Sequence, residues 1–397
     1  MASQPARAGV YRRVPPELVA LVDEFLAGLG ELAGAGFDAG AGRNRDLAAE
    51  LLASVAGLVT DGTDRLDLKI ASAALSEMRA AFRVFAPYRD TPKVTMFGSA
   101  RILPDDPLYV QARSLAAALA ERGWMVITGA GPGIMAAGME GAGTDMSFGI
   151  NIRLPFEQGA NAFIADDPKL VEMKYFFTRK LMLMKESDGF VILPGGFGTL
   201  DEAFELLTLI QTGKAEPSPI VLLNRPGGTY WHVWDAFIRD EVASRGLISE
   251  DDCVLYRITD DVAESVHEVT RFYRNYHSRR FVGDLLVMRL RSAPTDGELA
   301  MLNTSFSDIV VRGGIERTEP LTPEVNGNDH LDLPRIAFHF DRIHHGRLRT
   351  MIDALNHLPS APAEVDARPP LREEAAGGRP METDVRARAA EEGEAEP

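Results

Sequence analysis

The stretch Pro194-Gly195-Gly196-Phe197-Gly198-Thr199-Leu200-Asp201-Glu202 carries residue types at a spacing suited to chemistry on a phosphorylated ligand. An apolar run, Gly189 to Leu193, leads into it, and an amphipathic segment, Leu200 to Gln211, follows. A strand is therefore expected to end in a glycine-rich turn that opens a helix. Gly195, Gly196 and Gly198 allow close approach of the backbone to a ligand, and free N–H groups at the helix start favour an anion, typically phosphate. Glu202 places a carboxylate two residues into that helix. A phosphate cradle beside an acid suggests chemistry on a nucleotide or sugar phosphate. Thr199-x-x-Glu202 also fits a capping box, in which the glutamate only closes the helix N-terminus. On these residues alone both readings stand.

Two further strand ends supply glycines or hydroxyls. Val94–Phe97 runs into Gly98-Ser99-Ala100-Arg101, and Met125–Thr128 runs into Gly129-Ala130-Gly131-Pro132-Gly133-Ile134-Met135. A dinucleotide fingerprint fits poorly, because Ile134 stands where the third glycine belongs and no ribose-binding acid follows about 20 residues later. No Gly-Lys-Ser/Thr follows either, so this is not a P-loop. The segment Leu170 to Met184 reads as one helix, apolar nearly all round, that carries Arg179 and Lys180 among aromatic and aliphatic neighbours three and four residues away. Such a helix is expected to be buried, and a buried cation needs a partner. The candidates are a structural acid, an escape to water along the apolar stems, or an anionic ligand onto which Arg179 would fork.

These residues need a frame. From about Thr91 to Tyr276 short apolar runs alternate with helical periodicity: strands at Val94–Phe97, Met125–Thr128, Phe148–Ile152, Phe190–Leu193 and Ile220–Leu223, with a possible edge strand at Val254–Ile258. Helices are expected at Leu108–Glu121, Gly133–Gly143, Leu170–Lys185, Leu200–Gln211, Trp231–Ser244 and Val262–Asn275. The alternation predicts an α/β fold, a Rossmann-like doubly wound parallel sheet whose ligands bind outside the carboxyl ends of its strands. The chain divides as 1–90, an N-terminal helical extension (Pro16–Leu26, Arg45–Val59, Arg65–Phe85, with a glycine-rich loop over Gly30–Gly42); 91–277, the catalytic domain; 278–359, a small C-terminal α+β addition; and 360–397, a disordered acidic tail. His339, His344 and His345 lack metal-ligand spacing and read as surface or loop histidines.

Composition narrows the function. A net charge of −16, from 58 acidic and 42 basic residues in 397, argues against nucleic-acid binding. The lone Cys253 leaves no disulfide framework. No uncharged apolar run of about 18 residues occurs, and the N-terminus lacks a signal-peptide core, so a cytoplasmic protein without membrane attachment is expected.

With Pro194 to Glu202, the Arg179-Lys180 pair, Gly98-Ser99 and Gly129 to Met135 in place, the chain resembles the LOG ("lonely guy") proteins, long misannotated as lysine decarboxylases. Their signature is P-G-G-x-G-T-x-x-E with an upstream Arg-Lys pair, and the resemblance spans about Lys93 to Tyr276. It implies a cytokinin-activating type of phosphoribohydrolase, which splits a nucleoside 5′-monophosphate into free base and ribose 5-phosphate with no metal or organic cofactor. It also implies catalytic roles for Glu202 and Arg179, and nucleotide binding by Ser99, Gly131, Gly133, Lys180, Gly195, Gly196, Gly198 and Thr199. A homodimer or higher homo-oligomer follows from the same source. Where plant-type members carry His and Met before the arginine, this chain has Phe176 and Phe177, and with its flanking extensions it looks like a longer bacterial branch. An AMP nucleosidase is therefore as natural an expectation as a cytokinin enzyme. A non-catalytic nucleotide or cofactor carrier on the same fold is the alternative. A pyridoxal-dependent decarboxylase needs a Schiff-base lysine, and no lysine stands in a recognisable setting for one.

Overall fold

The computed structural model describes residues 45–154 and 159–363, and four helical positions, Leu21, Glu24, Phe25 and Gly28. The glycine-rich Gly30–Gly42 loop, most of the Pro16–Leu26 helix and the acidic tail from Glu364 onward lie outside the described residues. Two compact units divide between Ser76 and Glu77. The first holds α1 (Arg45–Thr60) and the start of α2 (Arg65–Phe85).

The second unit is built on seven parallel strands: β1 (Lys93–Phe97), β2 (Met125–Thr128), β3 (Ser147–Ile152), β4 (Leu170–Met173), β5 (Gly189–Ile192), β6 (Ile220–Leu223) and β7 (Arg257–Thr259). Their order in the sheet is β4-β3-β2-β1-β5-β6-β7. Helices α3 (Pro107–Ala120), α4 (Ile134–Ala142), α5 (Phe176–Lys185), α6 (Phe197–Gln211) and α7 (Tyr230–Phe237) lie between them, and α8 (Val262–Arg271) follows β7. Successive strand side chains point to opposite faces. Val221 and Leu223 of β6 therefore enter one core with α3, α4 and α8, while Ile220 and Leu222 enter the other with α6 and the end of α2. This is the expected Rossmann-like doubly wound α/β sheet.

The predicted helix Leu170–Lys185 is corrected. Leu170–Met173 is strand β4, paired with β3 in the register Gly149↔Leu170 to Ile152↔Met173, and the helix begins only at Phe176. A short apolar run reads alike as strand or helix until its pairing partner is known. Nor is α5 buried all round: Thr178, Met182 and Leu183 are buried, whereas Phe176, Phe177 and Leu181 are exposed. Smaller corrections concern the edge strand, which starts at Arg257 after a 3₁₀ turn over Glu250–Val254, and the last helix of the domain, which stops at Arg271.

Beyond α8 an antiparallel sheet in the order β10-β11-β9-β8 is formed by β8 (Tyr276–Val282), β9 (Leu285–Leu290), β10 (Glu316–Arg317) and β11 (Arg335–Phe338). With α9 (Asp296–Ser305), α10 (Thr322–Gly327) and α11 (His345–His357) it makes the C-terminal addition. Its Leu286, Met288, Ile336 and Phe338 share the core of α3, α4 and α8, so the addition packs continuously with one face of the parallel sheet. Inside it the Arg289 guanidinium, 1% exposed, meets Glu324 at 2.7 Å, and Arg335 meets the same carboxylate at 3.0 Å. Charges this deep persist only when paired. His345 corrects another expectation: it is buried, and burial pushes its imidazole down to about 4. His344 is half-exposed on Asp341 at 2.5 Å, and His339 pairs with Asp284 at 3.3 Å.

Candidate functional site

The chain runs outward from β1 through β2 and β3 to β4, then crosses to β5 on the other side of β1. The helix after β1, α3, covers one face, and the helix after β5, α6, covers the opposite face. The loops leaving β1 and β5 therefore part at their carboxyl ends, which is where ligands enter an open α/β sheet. A cleft of about 700 Å³ opens there. Its walls are the turns after β1 (Gly98–Arg101), β2 (Gly129, Gly131, Pro132) and β5 (Gly195–Glu202), the end of β3 (Asn151, Ile152, Leu154), and Phe176, Arg179 and Leu183 of α5.

The β5 turn is held open by packing. A Cβ on Gly195 would overlap the Thr199 hydroxyl and lie 3.0 Å from the Ser99 nitrogen, so only glycine lets the two turns meet. Ser99 N–H donates to the Pro194 carbonyl at 3.2 Å, and the Tyr230 phenol donates to the Gly195 carbonyl at 2.7 Å. Helix α6 starts at Phe197 with Gly196 as a cap that offers no side chain. Among the described residues the N–H groups of Gly196, Phe197 and Gly198 take no partner, while those of Thr199 and Leu200 bond back to Gly196. The exposed start of a helix with free N–H groups attracts an anion.

This start point removes the capping reading of Glu202. Thr199 is the third helical residue and Glu202 the sixth, so Glu202 is beyond reach of the helix end and the capping box is not formed. The Glu202 carboxylate is instead buried in the cleft wall, with Lys180 Nζ at 3.2 Å. That contact is poorly aligned for a hydrogen bond, so Oε2 has an electrostatic partner yet keeps its acceptor capacity. Burial pushes the Glu202 carboxyl above the usual range, against the pull of Lys180 and then Arg179. Lys180 also meets Asp201 at 2.9 Å and Glu205 at 2.8 Å. Burial alone would lower its ammonium, but the Glu205 and Asp201 carboxylates beside it raise it, leaving it firmly charged. The structural acids foreseen as one option for Lys180 are therefore these three on α6.

Arg179 Nε donates to the Ile150 carbonyl at 2.9 Å and Nη2 to the Gly129 carbonyl at 3.3 Å, which fixes the guanidinium over the ends of β2 and β3. Of the residues singled out from sequence, Glu202, Arg179, Ser99, Gly131, Gly195, Gly196, Gly198 and Thr199 converge on the cleft. Lys180 stands behind Glu202, and Gly133 does not line the cleft. Gly133 caps α4 at φ 67, and a Cβ there would overlap the Ser99 carbonyl and lie 2.7 Å from the Ala100 carbonyl carbon. Sequence reasoning missed Asn151, Tyr230 and Glu77. The end of β3 was legible as a strand terminus beside the other two. Nothing local pointed to Glu77, whose carboxylate accepts from Lys174 N–H at 3.0 Å and the Thr178 hydroxyl at 2.6 Å, tethering the start of α5 from about 100 residues away in sequence.

Known proteins fit this picture. Residues 132–269 match a family model described as "Possible lysine decarboxylase". A probable cytokinin riboside 5′-monophosphate phosphoribohydrolase of Oryza sativa subsp. japonica is 34% identical over 101 residues, which are 25% of this chain and 46% of that protein. A cytokinin riboside 5′-monophosphate phosphoribohydrolase of Arabidopsis thaliana is 42% identical over 71 residues, 18% of this chain and 32% of that protein. The chain thus spans less than half the length of these curated relatives. Among solved structures, the molybdenum cofactor carrier protein of Chlamydomonas reinhardtii is 22% identical with a TM-score of 0.31, covering 44% of this chain and 94% of that one.

Proposed function

We propose that this chain, whose residues 132–269 match a family model described as possible lysine decarboxylase, is a LOG-type enzyme that hydrolyses the N-glycosidic bond of nucleoside 5′-monophosphates, of AMP or cytokinin riboside monophosphate type, to free base and ribose 5-phosphate. The observation that carries the reading is the juxtaposition of unpartnered helix-start N–H groups with the buried, upward-shifted Glu202 carboxylate in one cleft. The phosphate binds at Gly196, Phe197 and Gly198, with Ser99 and Thr199 beside it, and supplies binding energy far from the bond that breaks. As the C1′–N bond opens, positive charge develops on the ribosyl centre, and the Glu202 carboxylate faces it. Water adds its oxygen to C1′ while a proton reaches the departing base. Glu202 orients that water or accepts its proton, and Arg179 positions the nucleotide or assists the base.

Amino-acid decarboxylation through an imine is disfavoured by the lysine itself. Among the described residues no lysine lines the cleft, and the ammonium of Lys180 is held charged by three carboxylates, whereas imine formation needs a neutral amine. In the same proposal the chain works as a homodimer or larger homo-oligomer. Exposed Phe177, Leu181, Phe204, Val233 and Phe237 on α5, α6 and α7 support this, and sedimentation at micromolar concentration tests it.

The deciding experiment scores free base from a panel of nucleoside monophosphates and their nucleosides. Monophosphates should be cleaved far faster, and Glu202→Gln should abolish base release while AMP still binds. Wild-type turnover by Glu202→Gln would sink the enzymatic role of Glu202. Binding without cleavage by the unsubstituted chain would make it a nucleotide carrier.

A further inference from the structure

Helix α5 carries Arg179 to the cleft, yet little in its own first turn fixes where it starts. Tyr175, at the N-terminal cap, offers the turn no side-chain bond. Phe176 and Phe177, the first two helical residues, are 51% and 54% exposed, so apolar burial anchors them weakly. The first N–H groups of any helix have no partner inside it, and a start without a cap is free to fray or shift. A carboxylate from far upstream supplies the hold. Glu77, half-buried on α2, accepts from the Lys174 N–H at 3.0 Å through one oxygen and from the Thr178 hydroxyl at 2.6 Å through the other. The two bonds bracket the turn that leads from β4 into α5. Thr178 is buried and immediately precedes Arg179, and its single hydroxyl hydrogen is shared with the Tyr175 carbonyl at 2.9 Å. Ala81 and Phe85 of α2 enter the same core as Met182 and Leu183 of α5, so the carboxylate rides on a helix that packs with the one it grips. Glu77 and all these partners belong to the second compact unit. Glu77 nevertheless precedes β1 and stands outside residues 132–269, which match the family model.

We propose that Glu77 is a positioning residue for the reaction, acting through Arg179, an inference that rests on the hydrolase reading of the cleft. Arg179 holds the Ile150 carbonyl with Nε at 2.9 Å and the Gly129 carbonyl with Nη2 at 3.3 Å, the second bond already near the limit of hydrogen-bond length. A shift of about 1 Å at the start of α5 breaks that second bond and moves the guanidinium off the ends of β2 and β3. Misplacement on this scale, made far from the reacting atoms, costs up to ~100-fold in rate. The phosphate cradle is built on α6, so the binding energy drawn from the phosphate is retained and the loss falls on kcat. A segment upstream of the parallel sheet thereby takes part in setting the geometry of the site.

The test follows free-base release from AMP by the full chain. Alanine favours helix, so Glu77→Ala suits α2 and should stay folded by circular dichroism. It should lower kcat ~10- to 100-fold while KM changes less than about threefold. Glu77→Gln should keep kcat within about threefold of wild type, because its amide oxygen still accepts from Lys174 while its N–H donates to the Thr178 hydroxyl. Thr178→Val, the same shape without the hydroxyl, should reproduce part of the loss. In Arg179→Lys, which removes the two-nitrogen grip on Ile150 and Gly129, adding Glu77→Ala should cost less than about twofold. Unchanged kcat in folded Glu77→Ala overturns the proposal, as does a rise in KM alone. Glu77→Gln as impaired as Glu77→Ala, or a full further loss in the Arg179→Lys background, overturns it too. No base release from any nucleotide by the unsubstituted chain defeats the hydrolase reading and this proposal with it, whereas an active chain indifferent to Glu77→Ala defeats the proposal alone.

Discussion

Lys180→Met removes a cation that Asp201, Glu202 and Glu205 share and keeps a side chain of similar length. Lys180 Nζ lies 3.2 Å from Glu202, and both side chains are nearly out of water, at 12% and 9% exposure. With an effective dielectric of about 20, two unit charges at that separation attract by about 5 kcal/mol. This is a ceiling, because the exposed Asp201 and Glu205 share the ammonium and water screens them. Taking about half, the substitution turns ~2.5 kcal/mol against ionised Glu202, a shift of roughly 70-fold in its protonation equilibrium. Burial already raises this carboxyl and Lys180 opposes burial, so its removal moves the carboxyl further up. If ionised Glu202 drives base release, kcat/KM for AMP should fall by up to that factor on the acidic side of the profile and recover as pH rises. The acidic limb of the pH profile moves to higher pH, while Lys180→Arg, which keeps the charge, leaves it nearly in place. The assay is free-base release across the pH range, with circular dichroism confirming that each variant is folded. An acidic limb at the wild-type position in a folded Lys180→Met enzyme would refute the claim that Lys180 sets the charge of Glu202.

Three further outcomes follow from the same geometry. A carboxyl whose folded pKa is raised contributes stability that is complete below its unfolded value, 4.5, and is lost as pH rises through the folded value. Glu202→Gln should therefore melt higher than wild type at neutral pH while losing activity, and the melting difference should vanish below pH 4.5; a lower neutral melting temperature would show that Glu202 holds the fold. Gly129→Ala puts a Cβ onto Arg179 Nη2 and 2.8 Å from Met135 Sδ, so kcat/KM should fall ~10- to 100-fold as the guanidinium is displaced, and unchanged kinetics would remove Arg179 from the reaction. Tyr230→Phe deletes the bond to the Gly195 carbonyl, worth about 1 kcal/mol at most on this partly exposed ring. It should raise KM for monophosphates a few-fold and leave kcat nearly unchanged; an effect on kcat alone would contradict a positioning role in the phosphate turn.

What the sequence by itself determined is what depends on neighbours a few residues away. The apolar runs at Val94–Phe97, Met125–Thr128 and Ile220–Leu223, alternating with helical periodicity, were enough for a parallel α/β sheet, and each is a strand of it. Glycine-rich turns announced themselves through residue type alone, so the turn of Gly195, Gly196 and Gly198 and the Glu202 carboxylate, which line the cleft, were legible in the sequence. Tertiary structure decided the rest. Whether Leu170–Met173 is strand or helix depended on β3, which offers it a hydrogen-bonding edge. The capping role left open for Glu202 was settled by where α6 begins. Lys180 found its carboxylates on the next helix, and Glu77 found Thr178, because chain crossovers bring together side chains that no local pattern links. The cleft itself exists because the strand order reverses between β1 and β5, and that order is a property of non-local pairing, in which every buried backbone group must find a partner strand.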